Sequence, residues 1–245
     1  MNTAEKLTAI AENQKKVYEA GKKSEYDRFW DNYQYNGERR VYDAAFGTFD
    51  TVAANGWNDN NFYPKYPIIA TNLCRAFKAC AITNLKERLD DCGVYLDTSE
   101  CTNFMQAFSY TWALHHIPEL DMRKATNVSV IFNRATQIHT IDKIILPENN
   151  TLIWNESFHY CESLVNIKME GKLTRTINFS YSPLSLESMK SIILCLKDYF
   201  GTASQGIYIL TLKDECKAAL EAEGATSPNG NLWTEYVSDL GWVLA

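Results

Sequence analysis

The sequence predicts an α/β solenoid: a short stack of repeated coils led by an N-terminal helix and closed by a C-terminal α/β cap. Three observations predict it. The chain aligns with itself on three Thr-Asn pairs, TNLCRAF (Thr71 to Phe77), TNFMQAF (Thr102 to Phe108) and TNVSVIF (Thr126 to Phe132), each Phe lying five residues after its Asn. Downstream the apolar spacing continues as Phe108, Leu114, Ile117, then Phe132, Ile138, Ile141, then Phe158, Leu164, Ile167, while the Phe77 copy is one residue short, with Ile82 and Leu85, and the Phe158 copy lacks the Thr-Asn. Phe77, Phe108, Phe132 and Phe158 are separated by 31, 24 and 26 residues, the last two inside the period of roughly 20–29 residues used by one class of stacked repeat.

Composition narrows the function. With 245 residues, 46% of them hydrophobic and 22% charged, the chain has the make-up of an ordinary globular protein of one or two domains. Lys and Arg number 24 against 30 Asp and Glu, for a net charge of -6, so the basic footprint of a nucleic-acid binder is missing. No stretch approaches the roughly 18 apolar residues of a membrane span, so no membrane insertion is expected. Seven cysteines without a C-x-x-C suggest neither a zinc ribbon nor a closed disulfide framework. The segment MNTAEKLTAIAENQKKVYEAGKK has no basic start, apolar run and cleavage site of a secretory leader, so cytoplasmic synthesis without a signal peptide is expected.

Taken in order, residues 1–35 read as one helix capped by Thr3, with Leu7, Ile10, Gln14, Val17 and Gly21 at alternating spacings of 3 and 4. So thin a seam suits attachment or oligomerisation through a short coiled coil, and suits equally an amphipathic helix folded back on its own domain. Residues 36–69 form an aromatic-rich N-terminal cap or linker. Twelve aromatics fall between Tyr26 and Tyr66, and a satellite core is a commoner role for such a cluster than a sugar or partner surface.

Residues 70–183 hold the repeats. Each unit offers one Phe, one Leu or Ile and a second Ile, which it cannot bury alone and which stacked neighbours would close over. Asn and Thr at fixed offsets suit side chains that bond the turn backbone. Cys80 and Cys161, both third after a Phe, suit small packed side chains. Residues 184–245 read as the cap: a helix through Leu186, Met189, Ile193, Leu196 and Phe200 ended by Gly201, a strand over 207–212, a helix over 214–223, a loop over 224–231, a helix over 232–240 and a strand over 242–244.

Catalytic chemistry finds little support. His115 and His139 share an offset of seven from their Phe residues and would be neighbours on consecutive coils. With His116 and His159 they fit no metal spacing, and solvated imidazoles are expected rather than a metal pair. Cys161 with His159 lacks an orienting acid. No G-x-S-x-G, phosphate loop or G-x-G-x-x-G is present. Asp90, Asp91, Glu215, Glu221 and Glu223 read as solvated faces. The chain is therefore expected to be no enzyme, with no catalytic residue, cofactor or metal.

The runs DTSECTNFMQAF (Asp97 to Phe108), LHHIPELDMRKATNVSVIF (Leu114 to Phe132) and SFHYCESLVNI (Ser157 to Ile167) resemble the bacterial BspA-like leucine-rich repeats. Units of that family read approximately D-T-S-x-x-T-N-M-x-x-M-F-x-x-C-x-x-L-x-x-L. Thr111 and Ala135 stand where that pattern has Cys, and the likeness covers roughly residues 70–180. The segment Ala11 to Phe49 resembles the leading part of phage and prophage tail-type proteins of gut Firmicutes that carry such repeats. The resemblance implies a non-enzymatic structural or adhesion protein of a tail fibre or tail tip, resident in the virion if phage-derived. Its implied partners are copies of itself, as a trimer by analogy with fibrous virion proteins, together with other virion proteins and a host receptor. The alternatives are a monomeric bacterial leucine-rich-repeat module for protein–protein interaction and a carbohydrate-binding or carbohydrate-active protein.

Overall fold

Apolar residues two or three apart, interrupted by Asn, Asp and Ser turns, leave room for strands of only two to six residues. The computed structural model describes residues 41–43, 57–60, 62–148, 151–201 and 207–245. The helix expected over 1–35, with the candidate seam Leu7, Ile10, Gln14 and Val17, lies outside these residues, as does much of the segment 36–69. In chain order the elements are β1 (Val41–Asp43), β2 (Ile68–Asn72), α1 (Leu85–Asp91), β3 (Leu96–Asp97), β4 (His116–Ile117), β5 (Leu120–Asp121), β6 (Thr140–Ile145), β7 (Asn166–Glu170) and β8 (Ile177–Phe179). They continue with α2 (Leu186–Leu194), β9 (Tyr208–Leu212), α3 (Asp214–Ala222), α4 (Trp233–Asp239) and β10 (Trp242–Leu244).

These elements correct the predicted fold class. In place of an α/β solenoid with leucine-rich repeats, an N-terminal helix and a C-terminal cap, the described residues form three small parallel sheets and four helices. The sheets are β1-β2-β3, β4-β6-β5 with β7 on the far edge of β6, and β10-β9-β8. The physical reason lies in the unequal spacing. The 31 residues from Phe77 to Phe108 accommodate α1, whose N-cap Asn84 accepts from the Glu87 amide at 3.0 Å. This detour sends β3 back to pair with β2, and β4 starts a new sheet with β6.

At its other end the second sheet stops at β7, because α2 covers that edge. Ser188 Oγ accepts from Ile167 N at 2.9 Å and donates to the Val165 carbonyl, while Ser191 Oγ accepts from Met169 N at 2.8 Å and donates to the Met169 carbonyl. Two hydroxyls one helical turn apart thus occupy an edge that would otherwise be open to further pairing. Helix α2 itself is shorter than its apolar spacing predicts. Residues 195–197 leave it to bond Leu173, whose N–H reaches the Cys195 carbonyl at 2.6 Å and whose carbonyl takes Lys197 N at 2.9 Å.

The core is strung along two rows. Trp57, Phe62, Phe77, Phe108, Phe132, Phe158 and Phe179 are buried, with neighbouring ring centroids 4.4–5.8 Å apart. A second row pairs Ile117, Ile141 and Ile167 in register, with Leu114, Ile138 and Leu164 buried beside them. Phe179 ends β8, but the turns that carry Phe77, Phe108, Phe132 and Phe158 are not strands. The residues two before and two after each Phe, Arg75 and Ala79, Gln106 and Tyr110, Val130 and Arg134, Glu156 and Tyr160, are left-handed with φ between 50° and 59°. Such a conformation costs a non-glycine residue about 1–2 kcal/mol, and the hydrogen bonds of those turns offset it. Arg75, Phe77 and Ala79 donate N–H to the Met105, Ala107 and Ser109 carbonyls, and the same pattern recurs at Gln106, Phe108 and Tyr110 and at Val130, Phe132 and Arg134.

The Asn residues brace these turns. Asn72, Asn103 and Asn127 each accept, through Oδ1, the N–H two residues on, at 2.9–3.1 Å. Gly171, with φ +87°, lies so close to the Leu146 carbonyl that a Cβ would collide with it. In the last sixty residues α3 and α4 pack beside α2, and Trp242 Nε1 donates to the Lys197 carbonyl at 2.8 Å. No helix among the described residues is long and apolar enough to cross a membrane.

Candidate functional site

The left-handed turns fix where the side chains after Phe108, Phe132 and Phe158 point, and the end of β8 places the one after Phe179. Two residues beyond Phe108, Phe132, Phe158 and Phe179 stand Tyr110, Arg134, Tyr160 and Tyr181, and they form one surface row. Lys78 lies 6.0 Å from the Tyr110 ring centroid, Arg134 lies 5.8 Å from Tyr110 and 4.8 Å from Tyr160, and the Tyr160 and Tyr181 rings are 4.7 Å apart. His159 joins the row through Nε2, 3.2 Å from the Tyr181 hydroxyl. Arg134 is exposed and the others half-buried. Partial burial, together with Tyr160, pushes the Tyr181 phenol above its ordinary range. Cation–aromatic contacts at exposed sites contribute about 0.5–1 kcal/mol each, enough to hold the side chains in line.

In chemical terms this row presents flat aromatic faces, a guanidinium without a carboxylate partner among the described residues, and hydroxyl and imidazole groups able to donate or accept. Sequence reasoning missed it. The signal was present, because the positions two after Phe108, Phe132, Phe158 and Phe179 carry Tyr, Arg, Tyr and Tyr in turn, although Ala79 stands there after Phe77.

The residues singled out from sequence sit elsewhere. Phe77, Phe108, Leu114, Ile117, Phe132, Ile138, Ile141, Phe158, Leu164 and Ile167 are all buried. His115 and His139 are backbone neighbours, His139 N donating to the His115 carbonyl at 2.9 Å, but their rings engage the Gln137 carbonyl and Thr140 Oγ1 respectively. His116 instead pairs with Asp142 across β4 and β6 at 2.6 Å, a contact set by the strand register and not foreseen.

Cys161 is buried with its Sγ 3.2 Å from the Phe132 carbonyl, and burial pushes its thiol far up. Burial likewise pushes Cys80 up to about 12. A thiol so disfavoured as thiolate is a poor nucleophile. Among the described residues no group of three His, Cys, Asp or Glu side chains is placed to hold a metal ion.

No protein-family model, curated protein or solved structure matches the chain. The surface row therefore has to be interpreted from its own chemistry. Its rungs lie on turns held by the Phe core, so they are presented by a backbone with little freedom to rearrange. That arrangement favours binding of an extended ligand across several rungs at low ordering cost.

Proposed function

We propose that the protein is a non-enzymatic structural or adhesion component of a phage or prophage tail, which holds a host receptor or protein partner against the face running from Lys78 to Tyr181. The observation that carries this reading is the unbroken series of cation–aromatic and aromatic contacts along that face. The packed state of the Cys80 and Cys161 thiols supports it by removing the nucleophiles that a covalent mechanism would draw on. The likeness of Ala11 to Phe49 to the leading part of tail-type proteins supports placement in a virion.

The test uses the full chain, incubated with intact Firmicute cells and with their purified walls. The reading predicts saturable retention on the cells with no sugar or peptide released into the supernatant. Steady release of wall fragments would make the protein an enzyme, and an absence of retention on any cell type would remove the adhesive role.

A further inference from the structure

The turn-to-turn hydrogen bonding has an end, and a cleft opens there. Val130, Phe132 and Arg134 donate to the carbonyls of Asn155, Ser157 and His159, but the equivalent N–H groups one turn on, those of Glu156, Phe158 and Tyr160, meet no acceptor among the described residues. β8, the next strand along, pairs with β9 and with no part of the Glu156–Tyr160 turn among the described residues. Phe158 and Phe179 still touch, with centroids 4.4 Å apart, so the two segments are joined at the core and splayed at the surface. The space between them is a cleft of about 560 Å³.

One lip of this cleft carries Ile153, Trp154 and His159, and the other carries Arg175, with Ile207 at the end. Ile153 and Ile207 are 63% and 76% exposed, so the entrance is apolar. Arg175 has no carboxylate within ion-pair reach among the described residues. Of the residues lining the cleft, Glu156 alone bears a carboxylate, and its Oε2 is turned back to accept from Asn133 Nδ2 at 3.4 Å. The cleft thus brings together a guanidinium without an ion-pair partner, the unpaired Glu156 N–H and an apolar mouth, with the Glu156 carboxylate turned away toward Asn133.

We propose that this cleft binds an anionic group, carboxylate or phosphate, carried on an apolar stem. The anion lies on the Arg175 guanidinium and the Glu156 N–H, and the stem lies against Ile153, Trp154 and Ile207. A guanidinium and backbone N–H groups are the donors that carboxylates and phosphates use most strongly, and the apolar walls select a substituted anion over a bare one. The site shares His159 with the Lys78-to-Tyr181 face but uses none of its cations or tyrosines, and it does not rest on that face's role in adhesion.

The full chain is titrated with benzoate, phenyl phosphate, benzamide and inorganic phosphate, followed by calorimetry and by the amide resonances of Glu156 and Phe158. Benzoate or phenyl phosphate is expected to bind saturably and to shift those amides, the stronger of the two identifying the headgroup. Benzamide should bind at least tenfold more weakly. Arg175→Met and Ile153→Asp should each weaken binding at least tenfold, whereas Lys168→Gln should leave it unchanged. Equal binding of benzamide would overturn the proposal, as would indifference to Arg175→Met. Equal binding of inorganic phosphate and phenyl phosphate would mean an adventitious ion only, and no binding of any probe would leave no site there.

Discussion

Phe132 stands at the middle of the aromatic row, fully buried between Phe108 and Phe158. Replacing it with Ala is expected to cost about 3–5 kcal/mol, and with Leu about 1 kcal/mol, in chemical denaturation. Such residues were legible because an aromatic repeated behind a fixed Asn leaves few alternatives to a shared interior. The left-handed residues beside them were not. Tyr110, Val130 and Arg134 occupy φ values normally marked by Gly or Asn, and it is bonding between turns, invisible to local propensity, that holds them there. Asp121 offers a pH test at the same scale. Hydrogen bonds from Arg123 Nε at 3.0 Å hold its carboxyl below the ordinary value of 3.8. The stabilisation this gives is therefore complete above the unfolded value and lost as pH falls through the lower, folded one. The stability gap between the native chain and Asp121→Asn should be widest at neutral pH and close on acidification below 3.8, as followed by denaturation at a series of pH values.

Among the elements, α2 and β7 depend on each other through two hydroxyls. Ser191→Ala would leave the Met169 N–H without its acceptor, at a cost of about 1–3 kcal/mol. Hydrogen exchange should quicken at Met169 and stay slow at Ile144, which faces it from β6. Unchanged exchange at Met169 would mean that the edge is closed by other means. The apolar periodicity of α2 was readable, but its end was not, since Leu196 fits the helical spacing yet is drawn off to bridge Leu173. Helix α1 was not legible although Asn84 and Glu87 stand at the spacing of a helix start, because Ile82 and Leu85 also fit the apolar pattern behind Phe77. The α1 detour parts the first sheet from the second and α2 closes the second at β7, which together defeat a fold class inferred from repetition alone. Self-similarity in sequence located the buried positions well, but it carried no information about which strands would find each other.

For the whole molecule, the face proposed for adhesion rests on a buried aromatic core, and assembly bears on how many such faces act together. Sedimentation equilibrium of the full chain at micromolar concentration is expected to give about three times the 28.0 kDa of one chain. A monomer would fit a monomeric bacterial interaction module instead and would count against a fibrous assembly. Multiple copies would strengthen retention on a cell without any new contact, by raising effective concentration. The central claim, that the Lys78-to-Tyr181 face does the binding, is tested most directly by retention of the double variant Arg134→Ala, Tyr160→Ala on Firmicute cells. Both side chains lie on the surface row and outside the buried core, so the melting temperature should stay close to that of the native chain. The account predicts that retention falls at least tenfold while folding is preserved. Undiminished retention by a folded double variant would contradict it.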